Sequence, residues 1–472
     1  MIKYRLIGND KSGIKILPKN YKKWFSNSIY DGDLYQMYED GFSKIFFLFG
    51  KYMQDRFGKE RVKHFSTKYK FEFYFPYFMV AQWRRKPFSI VINFNYLQYM
   101  NKSFFNHISK SHDFEDLKDF VKNMIDEYFF YIDTFLTILE DKWEEKMKGY
   151  DKKYLNIFRK LVLDELKSLE VVTLDNLSVT MDIHFDNPYI KNMFFNVVKN
   201  IEKDHYKTMT VSDETIFFYP YNRNLQIIDK SIPKLRFYDK QKDTVYKYYK
   251  KKEGIKKVSV SDYSSESDKF RVFEEIDAYS QKKATLEHDF NESIGFLNNT
   301  IRFEVDFGKK SFKQKFGKVN FFDFHLDNEA IIKEYLSELL DMQSSDLVEV
   351  IFYDQVTKEK KLARIKNINK FEASGDILNY YNLVIKHSEL LNLINFKMIE
   401  YKDGKYNDTY FNRHPNTINS QIMELRRDGI LRGKGKNIVL NQPYGSLLDV
   451  FNHFYIYNLL TSKGNASSEA RS

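Results

Sequence analysis

Three stretches of the chain alternate between apolar and polar residues: LSVTMDIHFD at 177–186, LRFYDKQKD at 235–243 and TIRFEVDFG at 300–308. A period of two marks a strand with one face buried. In the first, Leu177, Val179, Met181, Ile183 and Phe185 form the apolar face, backed by Ser178, Thr180, Asp182, His184 and Asp186. In the second, Leu235 and Phe237 oppose Arg236, Tyr238 and Lys240. In the third, Ile301, Phe303, Val305 and Phe307 oppose Arg302, Glu304 and Asp306. Strands that share one sheet and one polar face would gather acids, a histidine, basic residues and a tyrosine there.

Around these stretches the pattern predicts a mixed chain. Residues 68–95 read as paired strands, with Arg84, Arg85 and Lys86 at a turn before Pro87. Apolar residues recur at three and four through 114–150, a helix for which Asp113 is the N-cap. Further helices are expected at 153–168, 190–204, 243–252, 311–345 and 375–395, strands at 215–221 and 225–229, and a hairpin within 346–370. The stretch 253–290 is polar and reads as an inserted loop.

Near the C-terminus, NTINSQIMELRRDGILRGKGKNIVLN spans 416–441. Ile418, Ile422 and Leu425 share a helical face, Gly429 stops the helix, and Leu431–Leu440 forms a short hairpin around GKGK. A helix followed by a basic hairpin is the layout of a winged helix, with the helix in the major groove and the wing on phosphates. Arg426, Arg427, Arg432, Lys434 and Lys436 would be the DNA contacts; the plainer reading is a small packing domain with a solvated basic face. The organisation expected is an N-terminal half at 1–170, a central domain at 171–320, a helical connector at 321–400, the winged-helix-like region at 401–460 and a disordered tail at 461–472.

Composition changes this picture little. The 472 residues suffice for two to four domains. With 44 Phe and 35 Tyr the chain is rich in rings, which suits a base-stacking surface or, more simply, a genome rich in A and T. The net charge of +10 suits a polyanionic partner without requiring one. Without cysteine there is no disulfide scaffold and no thiolate metal site. No apolar run reaches the ~20 residues of a membrane helix, so a soluble cytoplasmic protein is expected.

Candidate chemistry centres on the polar backs of the three strands. Asp182, His184 and Asp186 project from one side at steps of about 7 Å. Glu304 from a neighbouring strand would complete an oxygen and nitrogen ligand set suited to Mg²⁺ or Mn²⁺. The alternative is an exposed strand face that is merely polar. Tyr238 adds a phenol, weakly nucleophilic near its ordinary pKa of about 10, which a cation such as Lys240 would activate. Tyr246 and Tyr249 offer a second phenol or an exposed helix surface.

The order of these motifs resembles that of the tyrosine-dependent rolling-circle replication initiators of filamentous phages and of Rep-trans plasmids. Their pattern is an acid on a strand, then Tyr-x-Lys-x-x-Glu, then Arg-Phe-Glu. Asp182 matches the first acid, Tyr238 the nucleophile, Lys240 the lysine, Asp243 the following (secondary) acid and Glu304 the last. Arg236 and Arg302 flank the motifs as further DNA contacts. Thr180 stands where the family has arginine, Asp243 replaces glutamate, and the paired histidines of relaxases are absent. The resemblance covers about 171–315. It implies an α+β fold with a curved antiparallel sheet of the HUH or Rep-trans kind, and flanking helices. It also implies metal-dependent nicking of one origin strand through a 5′-phosphotyrosyl bond, on duplex and single-stranded DNA, beside a host helicase in a bacterial cell. The rival readings are a non-catalytic winged-helix initiator or repressor and a mobilisation relaxase.

Overall fold

The computed structural model describes residues 2–20, 39–57, 62–65, 70–75, 79–84, 89–95, 113–254, 283–340, 348–353, 360–365 and 383–441, with a few positions excepted, and short pieces to 456. Arg85 and Lys86, the polar stretch 255–282 and the tail lie outside the described residues.

Among the described residues, eleven strands share one sheet. They are β1 Ile2–Ile16, β2 Val62–Phe65, β3 Lys70–Phe75, β4 Met79–Arg84, β5 Ser89–Asn95, β6 Val172–Phe185, β7 Tyr206–Val211, β8 Thr215–Asn222, β9 Ile227–Ile228, β10 Lys234–Asp239 and β11 Thr300–Gly308. Their order is β2-β3-β4-β5-β1-β6-β11-β10-β8-β7, with β9 on β8. The strands from β2 to β5 form an antiparallel meander that β1 extends, and β10 lies antiparallel between β8 and β11. The class is α+β with a mostly antiparallel, uncurled sheet. Strands from either side of residue 170 join in it, so a boundary there runs through a single layer. The long N-terminal strand β1 was not anticipated.

The three alternating stretches are neighbours at the centre, β6, β11 and β10. Their apolar faces pack as the pattern predicts: Val179, Ile183, Leu235, Phe237, Phe303 and Val305 are all 0% exposed. Phe237 and Phe303 stack at 4.4 Å across β10 and β11. The polar face is not solvated, which corrects the half-buried reading. Ser178, Thr180 and Asp182 are at most 4% exposed, and Arg302 and Glu304 are fully buried. Polar groups inside a fold need partners, and although the charged groups of this face pair with one another, the Ser178 and Thr180 hydroxyls find no partner among the described residues.

The second alternating stretch also ends sooner than its pattern suggests. The Asp239 carboxylate accepts from the backbone N–H of Lys242 at 3.1 Å, an N-cap that turns the chain into the helix Lys240–Gly254. Lys240 is therefore a first-turn helix residue and not a strand partner of Tyr238. From within the expected polar loop, residues 283–295 run as a helix that extends past its end, and Phe290 stacks on Tyr248 of the preceding helix at 4.1 Å.

The helix Phe114–Asp141 begins as predicted, with Asp113 and Asp116 in a reciprocal capping box. It packs Tyr128 and Phe135 on Phe49 of the helix Glu39–Phe57. The helix Lys153–Arg159 continues as a π-helical turn over Lys160–Leu166.

The chain divides into two compact units, one of residues 4–183 and 204–333, the other of 1–3, 184–203 and 334–472. In the second, Asn187 caps the helix Pro188–Lys199, whose first residue is the proline. The expected hairpin is β12 Val348–Tyr353 with β13 Lys360–Ile365. An unanticipated one pairs β14 Ile399–Lys402 with β15 Lys405–Asp408. Its turn residues Asp403 and Gly404 both have positive φ, as a tight two-residue hairpin requires. Ile418, Ile422 and Leu425 of the helix Pro415–Arg427 are at most 1% exposed in this unit's core, with Leu390 and Leu391.

Candidate active site on the polar face of the sheet

Strand register decides which polar side chains meet. On β10 and β11, Lys234 stands opposite Asp306, Arg236 opposite Glu304 and Tyr238 opposite Arg302. On the other side Arg236 faces Phe217 and Tyr238 faces Thr215 of β8. Alternate residues lie on one face, so Arg236, Tyr238, Arg302 and Glu304 form a two-by-two block, with Asp182 beside it on β6.

Within the block each acid has a base. The Arg302 guanidinium donates from Nε to Asp182 Oδ1 at 2.6 Å and from Nη2 to Oδ2 at 2.8 Å. Tyr238 Oη donates to Glu304 Oε1 at 2.6 Å, while Arg236 pairs with the other carboxylate oxygen. The Arg236 guanidinium lies 5.1 Å from the Tyr238 ring centroid and the Lys240 ammonium 5.7 Å from it. Lys240 reaches Asp243 at 3.3 Å, and Lys247 reaches the same oxygen at 2.8 Å. Burial opposes the charge of Asp243, yet these two lysines hold its carboxyl below the ordinary aspartate value. Arg5, on β1, has its pKa lowered by burial, with Asp182 opposing and Arg302 adding to the shift.

The structure thus brings together Asp182, Arg236, Tyr238, Lys240, Asp243, Arg302 and Glu304 from remote parts of the chain. It changes the role of one: Arg302 is 0% exposed and grips Asp182, so it is no surface DNA contact. His184 is half-buried and Asp186 exposed, and both fall in the second compact unit. Tyr246 and Tyr249 are 64% and 59% exposed on their helix. Arg5, which sequence reasoning passed over, gave no signal beyond its place in a stretch with no clear period.

Tyr238 is 7% exposed and Glu304 0%. The Arg236 side chain, 23% exposed, is the block's open edge. No family model, curated protein or solved structure matches the chain.

The donor set does not fit a divalent cation in this arrangement. Asp182 and Glu304 are each neutralised by a guanidinium, and among the described residues no three His, Asp or Glu side chains converge as ligands. The spare capacity is of the opposite kind: Arg5 Nη2 and Arg236 Nε are buried donors with no hydrogen-bond acceptor among the described residues. Unfilled cationic donors suit an anion such as phosphate.

The C-terminal helix and hairpin form as the sequence predicts. Ile430 N–H bonds to Leu425 O at 2.8 Å past Gly429, whose φ of 72° closes the helix. Strands β16 Leu431–Arg432 and β17 Val439–Leu440 then pair around a short 3₁₀ turn. A Cβ at Gly433 would stand 2.1 Å from the Asn437 carbonyl oxygen, so this turn requires glycine. Arg427, Arg432, Lys434 and Lys436 are exposed and Arg426 is half-buried.

Proposed function

We propose that the chain is a nicking and joining enzyme that opens one strand at a replication origin, with Tyr238 as nucleophile. The observation that carries this reading is the 2.6 Å hydrogen bond from Tyr238 to Glu304, with the Arg236 and Lys240 cations beside the ring. Glu304 takes the phenol proton as Oη attacks phosphorus. The O–P bond to Tyr238 forms, the P–O3′ bond breaks, and the 3′ oxygen leaves as a hydroxyl with a proton from water. Arg236 and Lys240 neutralise the phosphate, which favours the charged transition state. Asp182 and Arg302 hold β6 and β11 in register beneath the reacting groups and touch no substrate. In finer detail, the reading is of a Rep-trans or HUH type nicking domain, with the C-terminal helix and hairpin as the duplex-origin contact. The resemblance implies Mg²⁺ or Mn²⁺, but the acids it would use are already paired with Arg236 and Arg302 and do not fit such a cation. A host helicase is the partner such an enzyme would need.

The test is incubation of the protein with its supercoiled replicon, with and without Mn²⁺, followed by denaturing electrophoresis. A covalent adduct lost in Tyr238→Phe is expected. Retention of the adduct in that variant would move the nucleophile to Tyr246 or Tyr249. A second reading, a non-catalytic DNA-binding initiator or repressor, draws on the pairing of both acids with arginines and the low exposure of Tyr238. Origin binding without adduct is its signature.

A further inference from the structure

Beyond the Tyr238–Glu304 cluster, the same sheet face runs out through β8 to the edge strand β7 and changes character. Phe217 and Tyr219 are half-buried there, with ring centroids 5.4 Å apart and planes inclined by 31°. The Lys234 ammonium lies 4.2 Å from the Phe217 centroid and 4.8 Å from that of Tyr219. Lys207 stands opposite Tyr219 on β7. Exposure rises outward along this face, from 0% at Glu304 and 7% at Tyr238 to 43% at Met209, which is opposite Phe217. Core packing accounts for the rings on the opposite face, where Phe218 meets both Tyr206 and Phe237. Phe217 and Tyr219 are instead half-buried on the other face, with the Lys234 ammonium against both rings.

We propose that this outer face is a base-stacking track for single-stranded DNA. Phe217 and Tyr219 lie under successive bases once the Lys234 ammonium swings from the rings to a backbone phosphate, with Lys207 on a second phosphate. The two centroids stand 5.4 Å apart, a separation that neighbouring bases of an extended single strand can follow. An acidic peptide would use the lysines but brings no flat faces to the rings. A duplex hides its base faces in the stack. A single strand uses both features, and it would enter the cluster past Arg236. The inference shares the DNA partner with the proposed function but not the chemistry at Tyr238.

The experiment uses the full chain carrying Tyr238→Phe and a fluorescein-labelled oligothymidylate of about 20 nucleotides, read by anisotropy across salt concentrations. Phe217→Ala and Tyr219→Ala should each raise Kd by about 5- to 150-fold, and Trp at either position should restore binding. Lys234→Gln should reduce the log–log salt slope by about 0.7. Unchanged affinity in both alanine variants overturns the track. Should those variants lose thermal stability, photocrosslinking of a 5-bromodeoxyuridine oligonucleotide to the otherwise intact chain decides instead. Crosslinks within 215–221 support the track, and crosslinks confined elsewhere overturn it. Ring-dependent binding without any adduct in the unsubstituted chain would sink the nicking reading alone.

Discussion

Asp182 and Arg302, 120 positions apart in the chain, meet through two hydrogen bonds of 2.6 and 2.8 Å inside the sheet. Neither side chain keeps more than 2% exposure. Breaking such a pair leaves one buried charge without its counterion, which costs about 3–5 kcal/mol. Arg302→Met alone should lower the unfolding free energy by that amount in urea titrations. Adding Asp182→Leu should recover most of the loss, because the uncompensated carboxylate goes too. A single substitution with wild-type stability would show that the pair does not hold the strands.

The neighbouring contact separates chemistry from packing. Tyr238→Phe fills the same space and loses one hydrogen bond to a charged acceptor, about 1.5–3 kcal/mol. Glu304→Gln keeps the shape but cannot take the phenol proton. Adduct formation should vanish in the first variant and fall by about 10²- to 10⁴-fold in the second. Binding of single-stranded DNA should change in neither beyond a factor of about two, since the phenol and its base are asked only for chemistry. Equal loss of binding and adduct would point to a structural role.

Much of this site could be read from the chain. A period of two put Arg236, Tyr238, Arg302 and Glu304 on one side of their strands, and register then made them neighbours. Alternation cannot report whether the polar side faces water. The covering of β6, β10 and β11 is a tertiary fact, and it converts Arg302 from a supposed phosphate contact into the partner of Asp182. Alternation alone misplaces Lys240, because the Asp239 cap overrides a pattern that would continue equally well as strand. In the C-terminal helix and hairpin, Pro415, Gly429 and Gly433 punctuate the chain locally, and there the expected elements formed at the expected residues.

Asp449 supplies a pH dependence in the second compact unit. Burial raises its pKa from 3.8 to about 6, with the Asn196 amide, 2.9 Å away, pulling in the other direction. A carboxyl whose folded pKa exceeds its unfolded one favours the fold fully below the unfolded value, and that contribution is lost as pH rises through the folded one. Stability should therefore decline between about pH 4 and 6 on account of this group. Asp449→Asn removes the buried charge and leaves an amide oxygen for Asn196. At pH 8 it should raise the unfolding free energy by up to about 3 kcal/mol, with no gain at pH 3.5. A gain of equal size at both values would trace the effect to packing.

The basic hairpin carries cations whose part in duplex binding is read from salt dependence. Arg427 has a side chain 77% exposed, with a 3.4 Å contact to Asp428 as its ion pair. Exposed pairs of this kind contribute little, so the guanidinium is available to a phosphate at small cost. Arg432, Lys434 and Lys436 are exposed on the hairpin, held by a turn that Gly433 alone permits. Each cation that neutralises a duplex phosphate releases counterions and adds about 0.9 to the slope of log affinity against log salt. Replacing Arg432, Lys434 and Lys436 together by Gln should reduce that slope by roughly 2–3 for duplex origin DNA. These side chains support no core residue, so thermal stability should stay within about 0.5 kcal/mol of the parent. The same variant should leave the salt dependence of single-strand binding untouched, because that term belongs to Lys207 and Lys234. An unchanged duplex slope would leave the hairpin a solvated surface and require origin recognition to be sought elsewhere in the chain.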